Sequence, residues 1–272
     1  MSESKRHHIL PESFQKLFSS DGENKVWCAF QRKLFETNAV NVAVVSRHYE
    51  FYEDGKKEDW LEADLSSREG LAIPTIKKII ESRNLKSLTF HDRQVVTDFL
   101  KLCMMRFFEF SMFSEENESI DFEALRQAIK GYAAGKNSQL SDKILTDEFL
   151  KEAHHAAKKQ AIISPIPKSS EELDSMRMFL VVAKENVKFI SGEYVGAYFQ
   201  GKSGNSAIMP ICPDIAIRWS HRKSSPIQSV NDKWIRRANE QIFRMSTYSI
   251  ASEKEELHRL IELDKSGSFN LS

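Results

Sequence analysis

Apolar and polar positions recur with different periods along this chain, and each period predicts an element. Phe14, Leu17 and Phe18 fall on one face of a short helical turn after Pro11 within residues 8–18. Residues 19–24, SSDGEN, carry turn chemistry. The runs at 25–30 and 34–45 are rich in β-formers and read as a hairpin separated by Gln31, Arg32 and Lys33. Residues 48–59 form a polar, aromatic connector. Helical periodicity returns over 60–82 through Leu61, Leu65, Ile76, Ile79 and Ile80, with Gly70 and Pro74 expected to break or kink the helix. From Phe90 to Phe113 apolar residues cover most of the helix surface, which predicts a central helix.

An acidic loop opens at 114, helices are predicted at 120–133 and 143–161, and a linker with Ser141 as a cap lies between them. Ser169 and Glu172 have capping-box spacing for a helix at 170–177. The pattern then turns β-rich: 178–184, 187–199 and, around Pro210 and Pro213, 207–220. Residues 228–246 read as an amphipathic helix, 247–252 as a short strand, and 253–263 as a charged helix. The predicted class is α+β, with a small N-terminal β-hairpin, a predominantly helical middle and a mixed β-rich C-terminal part. A single domain over 6–263 is expected, with a helical sub-region at 60–177 and a mixed one at 178–263. Residues 1–5 and 264–272 are expected as loose tails.

Composition narrows the function classes. The 39 Lys and Arg balance the 39 Asp and Glu, so no global basic excess exists to hold a phosphate backbone. An apolar fraction of 41% with 18 Phe is enough for a sizeable core. No apolar run approaches the length of a membrane span, and the N-terminus lacks the apolar stretch of a secretory signal. A soluble, cytoplasmic protein with no membrane partner is expected. Cys28, Cys103 and Cys212 are far apart and form no C-x-x-C, so neither a disulfide framework nor a structural zinc site is expected. Walker loops, G-x-G-x-x-G, H-E-x-x-H and the kinase set are all missing, which disfavours nucleotide-driven motors, Rossmann dehydrogenases and zincins.

Several segments in order resemble the bacterial family known as domain of unknown function 4238. The opening KRHHILPESFQKLF is similar to that family's basic, His, Pro, Leu, Phe signature at His7, His8, Pro11, Leu17 and Phe18. HYEFY at 48–52 resembles its next landmark. WLEADLSSREGLAIP looks like its acidic helix, with Glu62 and Glu69 seven apart, and FLKLCMMRFFEF like its central helix, with Arg106 at the place of a family arginine. MPICPDIAIRW and NEQIFRMSTYSIAS are similar to its Pro-x-x-Pro strand and its Asn helix. The chain departs from the resemblance at ISGEYV, where Gly192, Glu193 and Tyr194 stand for Asp, Asn and Pro of a Ser-Asp-Asn-Pro-like turn. The resemblance implies one fold over most of 5–252 and fixes no activity.

Candidate chemistry follows from residue type and spacing. His7 and His8 sit beside a Pro-fixed segment, as a ligand or base must; packing onto the domain is the structural alternative. Glu62 and Glu69 would lie about 10 Å apart on one face of a continuous helix, too far for a dyad unless a His and an Arg fill the gap. With His, such carboxylates suit a divalent metal that activates water; an ion pair with Arg68 or Lys57, or plain solvation, is the alternative. Arg106, in the most apolar helix, needs an anionic partner, either a structural Glu or a phosphate. His48, Ser191, Glu193 and Asn239 are secondary binding candidates; Ser191 lacks the G-x-S-x-G elbow of a nucleophile. Arg218, Trp219, Arg236 and Arg237 belong to a local basic cluster interleaved with aromatics, which suits nucleic acid.

Two functions are expected from different classes. One is a hydrolase or nuclease-like enzyme on nucleic acid or nucleotide phosphates, in the manner of a defence or toxin effector. Its catalytic site would gather His7, His8, Glu62, Glu69 and Arg106, and its cofactor would be a divalent metal. The other is a non-catalytic binding module with a nucleic-acid, nucleotide or protein partner, in which the same polar residues lock the fold. A catalytic cluster must open to a pocket, whereas a structural one is sealed.

Overall fold

In the computed structural model the chain divides into two compact units, residues 1–104 with 166–272, and residues 105–165. The structure describes residues 6–19, 24–46, 51–53, 56–58, 60–113, 145–150, 169–184, 186–199, 205–222 and 225–267, with Glu123, Arg126, Gln127 and Lys130. In the second unit Arg126 donates to Glu123, Asp147 and the Leu145 carbonyl, drawing residues far apart in sequence together. Most of the predicted helices at 120–133 and 143–161, and the linker with Ser141, lie outside the described residues.

The first unit is mixed α and β, with a hairpin near the N-terminus and a β-rich C-terminal part. Strand β1 (Arg6–His8) pairs antiparallel with β4 (Val44–Ser46), so the first residues are a strand that the periodicity does not predict. Pro11 then opens α1 (Glu12–Gln15), which tightens into a 3-10 turn at Lys16–Phe18. Phe14 and Phe18 are fully buried and their rings meet at 5.8 Å.

The hairpin is β2 (Lys25–Phe30) with β3 (Lys33–Asn38). Its two turn residues, Gln31 and Arg32, have φ of 48° and 60°. Both positions of a type I′ turn need positive φ, and here neither is glycine. Arg32 anchors the turn by donating to Asp264 at 2.7 Å. The second β-run ends at Asn38, whose side chain accepts from Val40 and starts a 3-10 turn at Ala39–Asn41. Residues expected as a connector contain a further hairpin, β5 (Phe51–Glu53) with β6 (Lys56–Glu58). The sequence between them is Asp54-Gly55, a strong short-range hairpin signal.

Helix α2 (Trp60–Ser82) runs through Gly70 and Pro74 without a break. Pro74 removes one backbone donor, and the carbonyl deprived of it belongs to Gly70. Both residues are exposed, so water can satisfy that carbonyl. The buried face is Leu65, Ala72, Ile73, Ile76 and Ile79. Helix α3 (Phe90–Phe113) begins at a mutual cap, where Thr89 N–H donates to Asp92 and Asp92 N–H to Thr89 Oγ1. It buries Val96, Phe99, Leu100, Leu102 and Cys103.

A five-stranded sheet runs in the order β12-β7-β11-β10-β9 and a four-stranded one in the order β3-β2-β13-β8. Their remaining strands are β7 (Arg177–Ala183), β8 (Ser191–Gly192), β9 (Ala197–Phe199), β10 (Ser206–Cys212), β11 (Ile215–Ser220), β12 (Ile227–Val230) and β13 (Tyr248–Ala251). The short helix α4 (Ser169–Ser175) precedes β7. Pro213 sits in the β10–β11 turn, and Pro210 at a register shift inside β10, where a missing donor costs least.

Helix α5 (Asp232–Met245) is shorter than the pattern predicts. Residues 227–230 pair parallel with β7, and Asn231 caps the helix by accepting from Trp234 N–H. Helix α6 is Lys254–Lys265. Ile235, Ala238 and Ile242 of α5 join Leu257, Leu260 and Ile261 of α6 in one core cluster with Ala29, Ala251, Val181, Ile208 and Ala216. That cluster draws on both sheets, and it fixes where the polar residues between them must sit.

Candidate functional site

Strand β8 is only two residues long, yet it carries the polar centre of the unit. Ile250 of β13 stands opposite both Cys28 and Ser191, and Ser249 opposite both Ala29 and Gly192. Residues opposite each other share a face, so Cys28 and Ser191 lie on the same side. Gly192 is required by close approach: an added Cβ would sit 2.4 Å from Ser246 Oγ and 2.7 Å from the Tyr248 carbonyl oxygen. Glu193 follows, 1% exposed, with its N–H donating to the Tyr248 carbonyl and its Oε2 accepting from Thr247 N–H at 3.0 Å. Glu193 Oε1 and Ser191 Oγ are buried with no hydrogen-bond partner among the described residues.

Electrostatics follow from burial. The Glu193 carboxyl is pushed up to about 7, because desolvation outweighs the bonds from Thr247 and Tyr248. Burial, with the Glu193 charge second, pushes the Cys28 thiol up to about 12. Burial first, then Glu193 and Cys28, also raises Tyr248. Cys28 is therefore a protonated thiol and a poor nucleophile.

Asn239, on the buried face of α5, clamps the approach to β8. Its Oδ1 accepts from Ile190 N–H at 3.1 Å, and its Nδ2 donates to the Lys188 carbonyl at 2.8 Å and to Glu256 at 3.2 Å. Glu256 in turn pairs with Arg259, which also bonds Glu240. Ser191, Glu193 and Asn239 are thus brought into one buried stretch, and the amide of Asn239 is fully used on the fold.

The remaining candidates separate. His8 is half-buried on β1 and its Nε2 donates to the Val40 carbonyl at 3.1 Å. Glu69 is half-buried on α2, and its neighbour Arg68 pairs with Asp64 at 2.9 Å. The backbones of His7, Glu62 and Arg106 lie on β1, α2 and α3, but their side chains, and all of His48, lie outside the described residues. Trp219 is 1% exposed and its indole donates to Thr97 Oγ1 at 3.0 Å, so it is a core residue and offers no base a stacking surface. Strand alternation puts Arg218 on the opposite face, and Arg236 and Arg237 are exposed on α5. Among the described residues no group of three His, Cys, Asp or Glu is arranged to hold a metal ion.

Two features lie outside the predicted set. Gln15 is fully buried and donates to the Leu10 and Val42 carbonyls, stitching α1 to the segment before β4. Its position between Phe14 and Phe18 on an apolar face was the available signal. Glu172 accepts from Tyr198 at 2.6 Å and from Asn205. A groove of about 520 Å³ is lined by Phe90, Arg93, Leu173, Met176, Phe179 and Trp219 among others, and none of Ser191, Glu193 and Asn239 reaches it.

These features define a mixed α and β protein whose polar centre is sealed between elements of the core. The chain belongs to the family described as protein of unknown function (DUF4238), whose model matches residues 6–256. None of the curated proteins and none of the solved structures compared with it matches. No helix among the described residues is long and apolar enough to cross a membrane.

Proposed function

We propose that this chain is a non-catalytic binding module in which the Ser191, Glu193 and Asn239 stretch locks the fold. One observation carries the reading: where the resembled turn has Asp, Gly192 leaves no room even for a methyl group. Its neighbour Glu193, the natural stand-in, is 1% exposed and bonded to the backbone of β13 and the residue before it. A buried network that satisfies backbone groups specifies a fold without needing a substrate.

The hydrolytic reading keeps one supporting observation. Glu193 holds a carboxyl near neutrality with a bare Oε1, which is what a general acid or base needs once a substrate reaches it. Its metal would have to be held by the side chains of His7, His8, Glu62 and Glu69.

Turnover decides between them. The full chain is assayed on phosphodiester and phosphomonoester substrates with Mg²⁺, Mn²⁺ or Zn²⁺. The binding reading expects rates indistinguishable from those of Glu62→Ala and His8→Ala. A rate lost in Glu62→Ala with an unchanged melting temperature overturns it and restores the enzyme.

A further inference from the structure

Arg218 projects from β11, on the face that also carries Ala216. It is half-buried, yet its hydrogen-bond acceptors are neutral and distant: Gln228 Oε1 at 3.2 Å and Ser206 Oγ at 3.4 Å. Its Nε is buried without a partner among the described residues. Burial first, and then the charge of Arg222, hold the guanidinium below its ordinary range. A shielded guanidinium ordinarily finds a carboxylate or phosphate. Among the described residues no carboxylate pairs with Arg218.

The surroundings supply donors in surplus. Gln228 turns its carbonyl oxygen to Arg218, as it must beside a cation, and this leaves Gln228 Nε2 buried with no acceptor. Arg218 Nε and Gln228 Nε2 are thus two buried donors with no acceptor among the described residues, and Ser206, 5% exposed, meets the same guanidinium through its hydroxyl. Donors with no acceptor among the described residues, beside a cation with no carboxylate among them, suit an oxyanion.

We propose that Arg218, Gln228 and Ser206 form a binding site for a phosphate group. The planar fork of Arg218 would take two phosphate oxygens, and the Gln228 amide and Ser206 hydroxyl would meet others. A phosphate also offers these donors more acceptor oxygens than a carboxylate does. This deepens the binding reading by naming its ligand chemistry, and the two fail separately: turnover tests that reading, and phosphate affinity tests this site.

The test is calorimetric titration of the full chain with inorganic phosphate, adenosine monophosphate, a single-stranded oligothymidylate and acetate, at matched ionic strength. Phosphate-bearing probes are expected to bind, with acetate at least tenfold weaker. Tightest binding by the monophosphate would mark a nucleotide, and by the oligomer a phosphodiester backbone. Arg218→Gln should lose at least tenfold in affinity. Arg218→Lys, which keeps the charge without the fork, should lose part of it, and so should Gln228→Leu, which leaves the cation intact. Lys77→Gln, which removes an exposed cation from α2, should bind as the unaltered chain does. No phosphate binding, equal affinity for acetate, or unchanged affinity in both Arg218→Gln and Gln228→Leu would overturn the proposal.

Discussion

Glu193→Gln tests the electrostatics of the sealed centre most directly. In the folded chain the carboxyl keeps its proton up to about pH 7, whereas its ordinary value is 4.5. Between those values the folded state binds more protons than the unfolded state. Stability contributed by the protonated carboxyl is therefore full below about pH 4.5, declines as pH rises through the window and is gone above about 7. A move from 4.5 to about 7 corresponds to about 3 kcal/mol, since each tenfold change in proton affinity is about 1.4 kcal/mol. At 1% exposure, little solvent screening reduces that figure. Gln is neutral at every pH and keeps an oxygen for Thr247 N–H, so it imitates the protonated acid. Thermal melts from pH 5 to 8.5 should find the two proteins close at the acid end. The unaltered chain should fall behind Glu193→Gln by about 3 kcal/mol at the alkaline end, or roughly 6–12 °C for a chain of this size. Parallel curves across the range would refute the reasoning. They would mean that the carboxylate already ionises at its ordinary value, with a partner or water on Oε1.

Other residues give sharp expectations. Asn239→Ala removes the acceptor for Ile190 N–H and the donor to the Lys188 carbonyl, so chemical denaturation should find a loss of about 2–4 kcal/mol. Gly192→Ala should cost about 2–3 kcal/mol through overpacking. Adding Ser246→Gly should recover only part of that, because the clash with the Tyr248 carbonyl remains. Trp219→Phe drops the bond to Thr97 and loses one of the two fused buried rings, for a loss of about 2–4 kcal/mol in the same measurement.

Periodicity made the long elements legible. The α3 pattern, covered with apolar residues, and the amphipathic α5 both appear, because a helix of three or more turns writes its buried face into its own sequence. The strands that went unread, β1, β5, β6 and β12, have three or four residues each. So short a strand is stabilised by its partner, and β1 finds its partner some forty positions along the chain. The same limit applied to the sealed centre. Asn239 was a candidate by type, but its role depends on Lys188 and Ile190, about fifty residues away. Trp219 is the opposite case. The alternation of Ile215, Ile217 and Trp219 against Arg218 already assigns the indole to the apolar face, so its burial was readable from residues 215–220 alone.

Arg218 and Glu193 form a pair of contrasts that bears on function. Both are ionisable, both are shielded, and each has a polar atom without a partner. Glu193 can relieve its burial by holding a proton, because a carboxyl loses its charge within the ordinary pH range. A guanidinium has no such exit, since it stays protonated in proteins. The carboxyl can therefore remain a closed structural element with nothing added, whereas the cation has no carboxylate beside it among the described residues and suits an anionic ligand. That difference in chemistry, rather than which side chain looks more catalytic, is why the proposed ligand-binding role is placed on the face of β11 and not at the turn after β8.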